Sequence, residues 1–299
     1  MKYNPHKFVR HLFALHGSVA PKIVWRVLFF TGWATAILLF DRLVRPVALP
    51  STVHTLVGVA LGLLLVFRTN ASYERFWEGR RLWGGIVNES RNLARMASAH
   101  LRERPALLEP IILWAAAFSY ASMNSLRGVA GLGPSESRLP NGEVAATLAA
   151  RHVPTAVALR ISDHLVEARA AGNLTDYTMV AIDTNVQQLV DYVGACERIQ
   201  NTPLPFAYVV HLRRALVLYC LTVPFALVGP FGWSTVIYAL MITYILLGIE
   251  EIGVEIENPF GTDYNDLPLD EICGTIERDL MAILEEKRAT GAVSKATGA

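Results

Sequence analysis

The chain has 299 residues, a formal net charge of +1, 53% hydrophobic residues and only 18% charged ones. Soluble domains are about 45–50% apolar and about 25% charged, so this balance points to lipid contact and excludes intrinsic disorder. The near-neutral charge lacks the basic excess of a nucleic-acid binder, and three widely spaced cysteines (Cys196, Cys220, Cys273) make neither a disulfide framework nor a zinc site.

In chain order, residues 1–22 form a cytosolic segment carrying Lys2, Lys7, Arg10 and Lys22. The apolar run Ile23–Phe40 follows, broken only by Arg26, which is placed to snorkel. The run is too long for a cleaved signal and reads as a retained first membrane span. A short outer loop, Asp41–Pro50, leads to a second span, Val53–Phe67, which ends at Arg68. Residues 23–67 thus hold two spans; Arg42 and Arg45 in their loop run mildly against the positive-inside bias.

The block 68–214 is charged and predicted to be a helical cytosolic domain. Ser72–Arg95, Pro105–Leu126, Ala156–Ala171 and Thr178–Cys196 carry apolar residues at helical spacing. Ile111–Phe118 is apolar enough to span, but Ser119, Ser122, Asn124 and Ser125 dilute its helix, which reads as buried in the bundle. Gly128–Gly142 reads as a loop, and Pro203 and Pro205 set a rigid turn. Residues 215–256 hold two more spans, Ala215–Val228, kinked at Pro224, and Trp233–Ile249, joined by Gly229–Gly232. Residues 257–286 are expected to pack on the cytosolic domain, and the Ala/Thr/Gly/Ser-rich tail 287–299 to be disordered. The expectation is an all-α membrane protein with four spans and both termini inside.

The second span carries the most information. Gly58 and Gly62 share one face, as in small-xxx-small helix packing. Val59, Leu63 and Phe67 form an adjacent stripe at i, i+4 and i+8. The stripe either faces lipid or core, or, repeated around an axis, stacks apolar rings that gate ions by dewetting. Glu250, Glu251, Glu255 and Glu257 form either a solvated helix end or an acidic ion site. Tyr73, Arg75, Phe76, Trp77, Arg80, Arg81 and Trp83 read as an interfacial belt with helix packing, or as a surface for lipid head groups or nucleotides. There is no HExxH, P-loop or convergent set of titratable groups, so no catalytic residue, cofactor or metal site is expected.

Three separated motifs bring a resemblance. Phe67-Arg68-Thr69-Asn70-Ala71-Ser72-Tyr73-Glu74-Arg75-Phe76-Trp77-Glu78-Gly79-Arg80 with Trp83-Gly84 is the first, and Cys196-Glu197-Arg198 with Thr202-Pro203-Leu204-Pro205-Phe206-Ala207-Tyr208 the second. The third is Asn258-Pro259-Phe260-Gly261-Thr262 with Asn265-Asp266-Leu267-Pro268-Leu269 and Thr275-Ile276-Glu277-Arg278. In this order they resemble the prokaryotic bestrophins over roughly residues 8–284.

The resemblance implies a homopentameric ion channel of the bacterial inner membrane, with one axial pore and no chemical step. It places the pore neck on Val59, Leu63 and Phe67 and a cytosolic aperture at Tyr177. Animal bestrophins continue Asn-Pro-Phe-Gly with a dense acidic calcium clasp; here Thr262-Asp263-Tyr264-Asn265-Asp266-Leu267 stands instead, so calcium gating is not expected. Animal members resemble anion channels, whereas the prokaryotic branch leans toward monovalent cations. The expected permeant ions are therefore monovalent cations (Na+, K+), with a chloride-selective channel as the alternative and a non-conducting scaffold or a transporter as further alternatives.

Overall fold

The computed structural model describes Val9, Ala14 and residues 17–297, with side chains up to Lys287. The predicted basic positions Lys2, Lys7 and Arg10 lie outside the described residues, as do residues 298 and 299. Helices and short 3₁₀ turns carry the chain, and no strand occurs among the described residues. In order, the helices are α1 (Ala20–Leu43), α2 (Ser51–His100), α3 (Pro105–Arg127), α4 (Asn141–Leu148), α5 (Val153–Ala170), α6 (Asp176–Asn201), α7 (Phe206–Phe231), α8 (Thr235–Glu255) and α9 (Leu269–Thr297).

Their ends follow local chemistry. Proline opens α1 and α3, where its missing N–H costs nothing. Gly128 closes α3 in the left-handed region at φ 68°. A turn at Gly232, φ 52°, separates α7 from α8.

The chain divides into two compact units. One holds the residues up to Trp77 and Thr202–Asp266; the other holds Glu78–Asn201 and the residues from Leu267. In the first unit α1 packs on α8 and α7, and α7 on α8. Ile23, Val27 and Phe30 of α1 meet Cys220 and Leu247, while Leu61 and Leu65 of α2 meet Leu212 and Leu216. The Trp33 indole N–H donates to the Leu221 carbonyl (2.9 Å), and the Leu49 amide to that of Phe225 (2.9 Å).

In the second unit α3 packs on α5 and α9, and α5 on α6. Ile111–Phe118 of α3 is buried throughout. Its apolar window is 72% covered by protein, against 33%, 17% and 33% for the windows in α1, α2 and the α7–α8 stretch. All four stretches are long and apolar enough to cross a membrane. Burial separates α3 from the other three stretches, the last of which holds both α7 and α8.

Several boundaries differ from those expected. The helix that carries the second apolar run does not stop at Arg68: α2 runs unbroken for 50 residues. The apolar run ends there, but no proline or glycine follows before Gly79, so the helix continues. The compact units divide at Trp77 and Glu78 and again at Asn201 and Thr202, so charged residues flanking the apolar runs belong to the first unit. Residues 257–266 belong to the first unit, and only the segment from Leu267 to the second. The tail expected to be disordered continues α9 to Thr297, because Ala289, Ala292, Lys295 and Ala296 favour helix and no proline interrupts them.

Candidate pore and its buried ion-pair belt

The neck candidates lie on the first half of α2. Val59 is 62%, Leu63 56% and Phe67 62% exposed in the single chain, so the stripe is not part of the subunit core. The neighbouring Leu61 and Leu65 turn inward. The helix therefore has one committed face and one free apolar face. The paired glycines part company. A Cβ on Gly58 would stand 2.7 Å from the Tyr219 hydroxyl of α7, whereas nothing lies within 4 Å of one on Gly62. Only the first glycine permits a close approach within the chain.

Tyr177 is the second residue of α6 and is 89% exposed. Beside it, Arg169 pairs with Asp176, and Thr175 and Thr178 exchange hydrogen bonds around the helix start. The phenol thus projects from a locally braced corner of the second unit.

The four glutamates after the fourth span are neither a solvated end nor a clustered ion site. Glu250 accepts from Arg213 Nε at 2.9 Å and lies 3.9 Å from Arg68 Nη2. Glu251 accepts from Arg26 at 2.8 Å, and Glu255 from Lys22. Glu257 accepts from Arg68 (3.4 Å) and from the Leu204 amide (3.2 Å), and its carbonyl accepts from Arg75 Nε (3.1 Å). Glu250, Glu251 and Arg68 are all buried, and burial is tolerable because opposite charges meet there. Arg26, predicted to snorkel, reaches a carboxylate instead. No group of three or more His, Cys, Asp or Glu side chains fit to hold a metal occurs among the described residues.

The post-membrane motif forms a closed turn. Pro259 and Phe260 are buried, Asn258 is exposed, and the Asn258 side-chain oxygen accepts from the Phe260 amide at 3.4 Å. A Cβ on Gly261 would fall 2.5 Å from Asp266 Oδ2, the atom that accepts from the Asp263 amide at 2.7 Å. Asp266 is thereby committed to its own turn, and Asp263 lies 3.7 Å from Lys22.

Arg68, Arg213 and Tyr208 carry structure that the spacing did not single out. The Tyr208 hydroxyl donates to the Leu64 carbonyl at 2.8 Å, inside the neck stretch of α2. Arg68 had a signal: an ionisable residue against an apolar run calls for a partner, and four carboxylates end the last span. Of the aromatic–basic cluster, Trp83 is buried while Tyr73 and Trp77 are exposed. A surface depression of about 530 Å³ between Gly133 and Leu148 is lined by Glu136, Ser137 and Asn141 among small and apolar residues, and the Glu136 carboxylate accepts from the Leu132 amide.

Comparison with known proteins agrees along the chain. The family described as Bestrophin_2, Bacterial/Fungal Bestrophin protein, matches residues 1–282. A voltage-dependent anion channel-forming protein of Nostoc sp. is 40% identical over 273 residues, 90% of this chain and 89% of that one. One of the same description from Synechocystis sp. is 37% identical over 286 residues, 94% and 93% of the two chains. The crystal structure of a bacterial bestrophin homolog from Klebsiella pneumoniae superposes with a TM-score of 0.82 at 32% identity, covering 88% of this chain and 98% of that one.

Proposed function

The chain belongs to the bacterial bestrophin family, a family of ion channels and not of enzymes, and from that premise we propose that it forms a homopentameric channel passing small monovalent anions, chloride first. The observation that carries the anion reading is the description shared by the Nostoc and Synechocystis relatives, anion channel-forming. The cation expectation has weaker support, resting on resemblance to the prokaryotic branch alone.

The neck is formed by five copies of Val59, Leu63 and Phe67. Support comes from their exposure on one face of α2 while Leu61 and Leu65 hold the other. Stacked apolar rings impose a dehydration barrier without a fixed charge, so ions cross by electrodiffusion and the rings gate by dewetting. Tyr177 forms the second aperture. Both termini face the cytoplasm of a bacterial inner membrane, and α1–α2 and α7–α8 turn on the outer side. There Arg42 lies over the Gly232 turn, and neither Arg42 nor Arg45 has an ion-pair partner among the described residues. The nearby Asp41 carboxylate accepts from the Val47 amide. Outer loops of net positive charge raise the local anion concentration at the mouth. The Asp263–Asp266 turn lacks a clustered carboxylate set, so calcium does not gate the pore.

The test is the reversal potential of the purified full chain in a planar bilayer under a KCl gradient. A shift toward the chloride equilibrium potential is expected. A shift toward the potassium potential overturns the anion reading and restores the cation one.

A further inference from the structure

Arg68 follows Phe67 directly on α2, yet its side chain is 1% exposed while Phe67 is 62% exposed. Consecutive helical positions point about 100° apart, so the two side chains report one rotation of the helix. The guanidinium is caged. Nη2 lies 3.4 Å from Glu257 Oε2 and 3.9 Å from Glu250 Oε1. The stem passes Gly253 of α8 so closely that a Cβ there would stand 3.2 Å from Nε and 3.6 Å from Cγ and Cδ. Nε and Nη1 are buried and find no hydrogen-bond partner. The carboxylates that hold Arg68 are themselves held, Glu250 by Arg213 and Glu257 by the Leu204 amide.

We infer that Arg68 is a positioning residue for the neck: its caged charge locks the rotation of α2 and thereby the direction in which Phe67 points. This rests on the reading of Val59, Leu63 and Phe67 as the neck. Turning α2 in either direction would draw a buried charge from its carboxylates or drive its stem into the α8 backbone at Gly253. The helix therefore has one favoured rotation at this level, and Phe67 inherits it. An ordinary structural ion pair would hold the fold equally well whatever side chain stood at position 67, which separates the two roles.

The experiment is single-channel recording of the full chain in planar bilayers, with Arg68→Gln made alone and on a Phe67→Ala background. Alone, Arg68→Gln is expected to change open probability about tenfold, the scale of ordinary coupling between sites, with the reversal potential unchanged. On Phe67→Ala the effect should shrink to within about twofold, because coupled residues give non-additive changes. Equal effects in both backgrounds, or no effect in either, overturn the lock. Should Arg68→Gln not assemble, Gly253→Ala keeps the charge but pushes the stem, and the same comparison applies. Failure of the neck reading looks different: Leu63→Ala and Phe67→Ala would then each leave conductance unchanged.

Discussion

The two units differ in what they bury and in what they leave exposed. The second is built like a soluble bundle: Trp114, Phe118, Ile161, Leu189 and Leu280 are buried in it. The first presents Trp25, Phe29, Leu56 and Ile245 outward and buries Arg68, Glu250 and Glu251. In lipid there is no hydrophobic gain from bringing two helices together, so packing and polar contacts must hold them. The first unit shows this in the Trp33–Leu221 and Tyr208–Leu64 hydrogen bonds and in the ion-pair belt. A single chain thus follows two packing rules.

Substitutions can break or sharpen that contrast. Phe118→Ala empties a fully buried site on α3 and should cost about 3–5 kcal/mol, seen as a large loss of thermal stability in detergent. Val59→Ala, of similar apolar character but exposed, should stay within about 0.5 kcal/mol. Equal effects would erase the distinction between the units. Tyr208→Phe removes only the hydroxyl that binds the Leu64 carbonyl, and should cost about 0.6 kcal/mol in the same melt, the average for such bonds between membrane helices.

A smaller effect concerns the thiols of the second unit. Burial pushes Cys196 up to about 12, with Glu197 and Glu78 adding to it, and burial likewise pushes Cys273 up to about 12. The folded values lie above the unfolded value of 9.0, so the stabilisation from keeping these thiols neutral is complete below pH 9 and is lost as pH rises toward 12. At pH 8 maleimide should label them slowly in the native protein and rapidly once it is unfolded. Fast native labelling would show a looser core. The smallest expected effect is none: adding or chelating calcium should leave single-channel currents unchanged, and a steep response would mean that the Asp263–Asp266 turn reorganises around the ion.

Much of this was legible in the sequence, for identifiable reasons. The apolar runs fall within helices α1, α2, α7 and α8, and the serine and asparagine positions diluting α3 accompany a helix that the structure buries against protein. Spacing also put Val59, Leu63 and Phe67 on one face. It could not show that Gly58 meets Tyr219 while Gly62 meets nothing, because that depends on where α7 crosses. Nor could it pair Glu250 with Arg213, or Glu257 with Arg68 across 189 residues. A solvated helix end and a buried belt have the same local sequence; only the partners distinguish them. The length of α2 was obscured because hydropathy changes at Arg68 while helix propensity does not.

The burial of α3 has a consequence for biogenesis. As the ribosome delivers Pro105–Arg127, the insertion machinery meets a segment that qualifies as a span by length and composition. Were it admitted to the bilayer, every later segment would enter with reversed orientation, and Glu250 and Glu257 would emerge on the opposite side from Arg68. In the proposed topology α3 must therefore be claimed by protein partners before lipid claims it. α9 is synthesised last, so for much of translation the protein partners available to hold this helix back are the Pro134–Arg138 turn, α5 and α6.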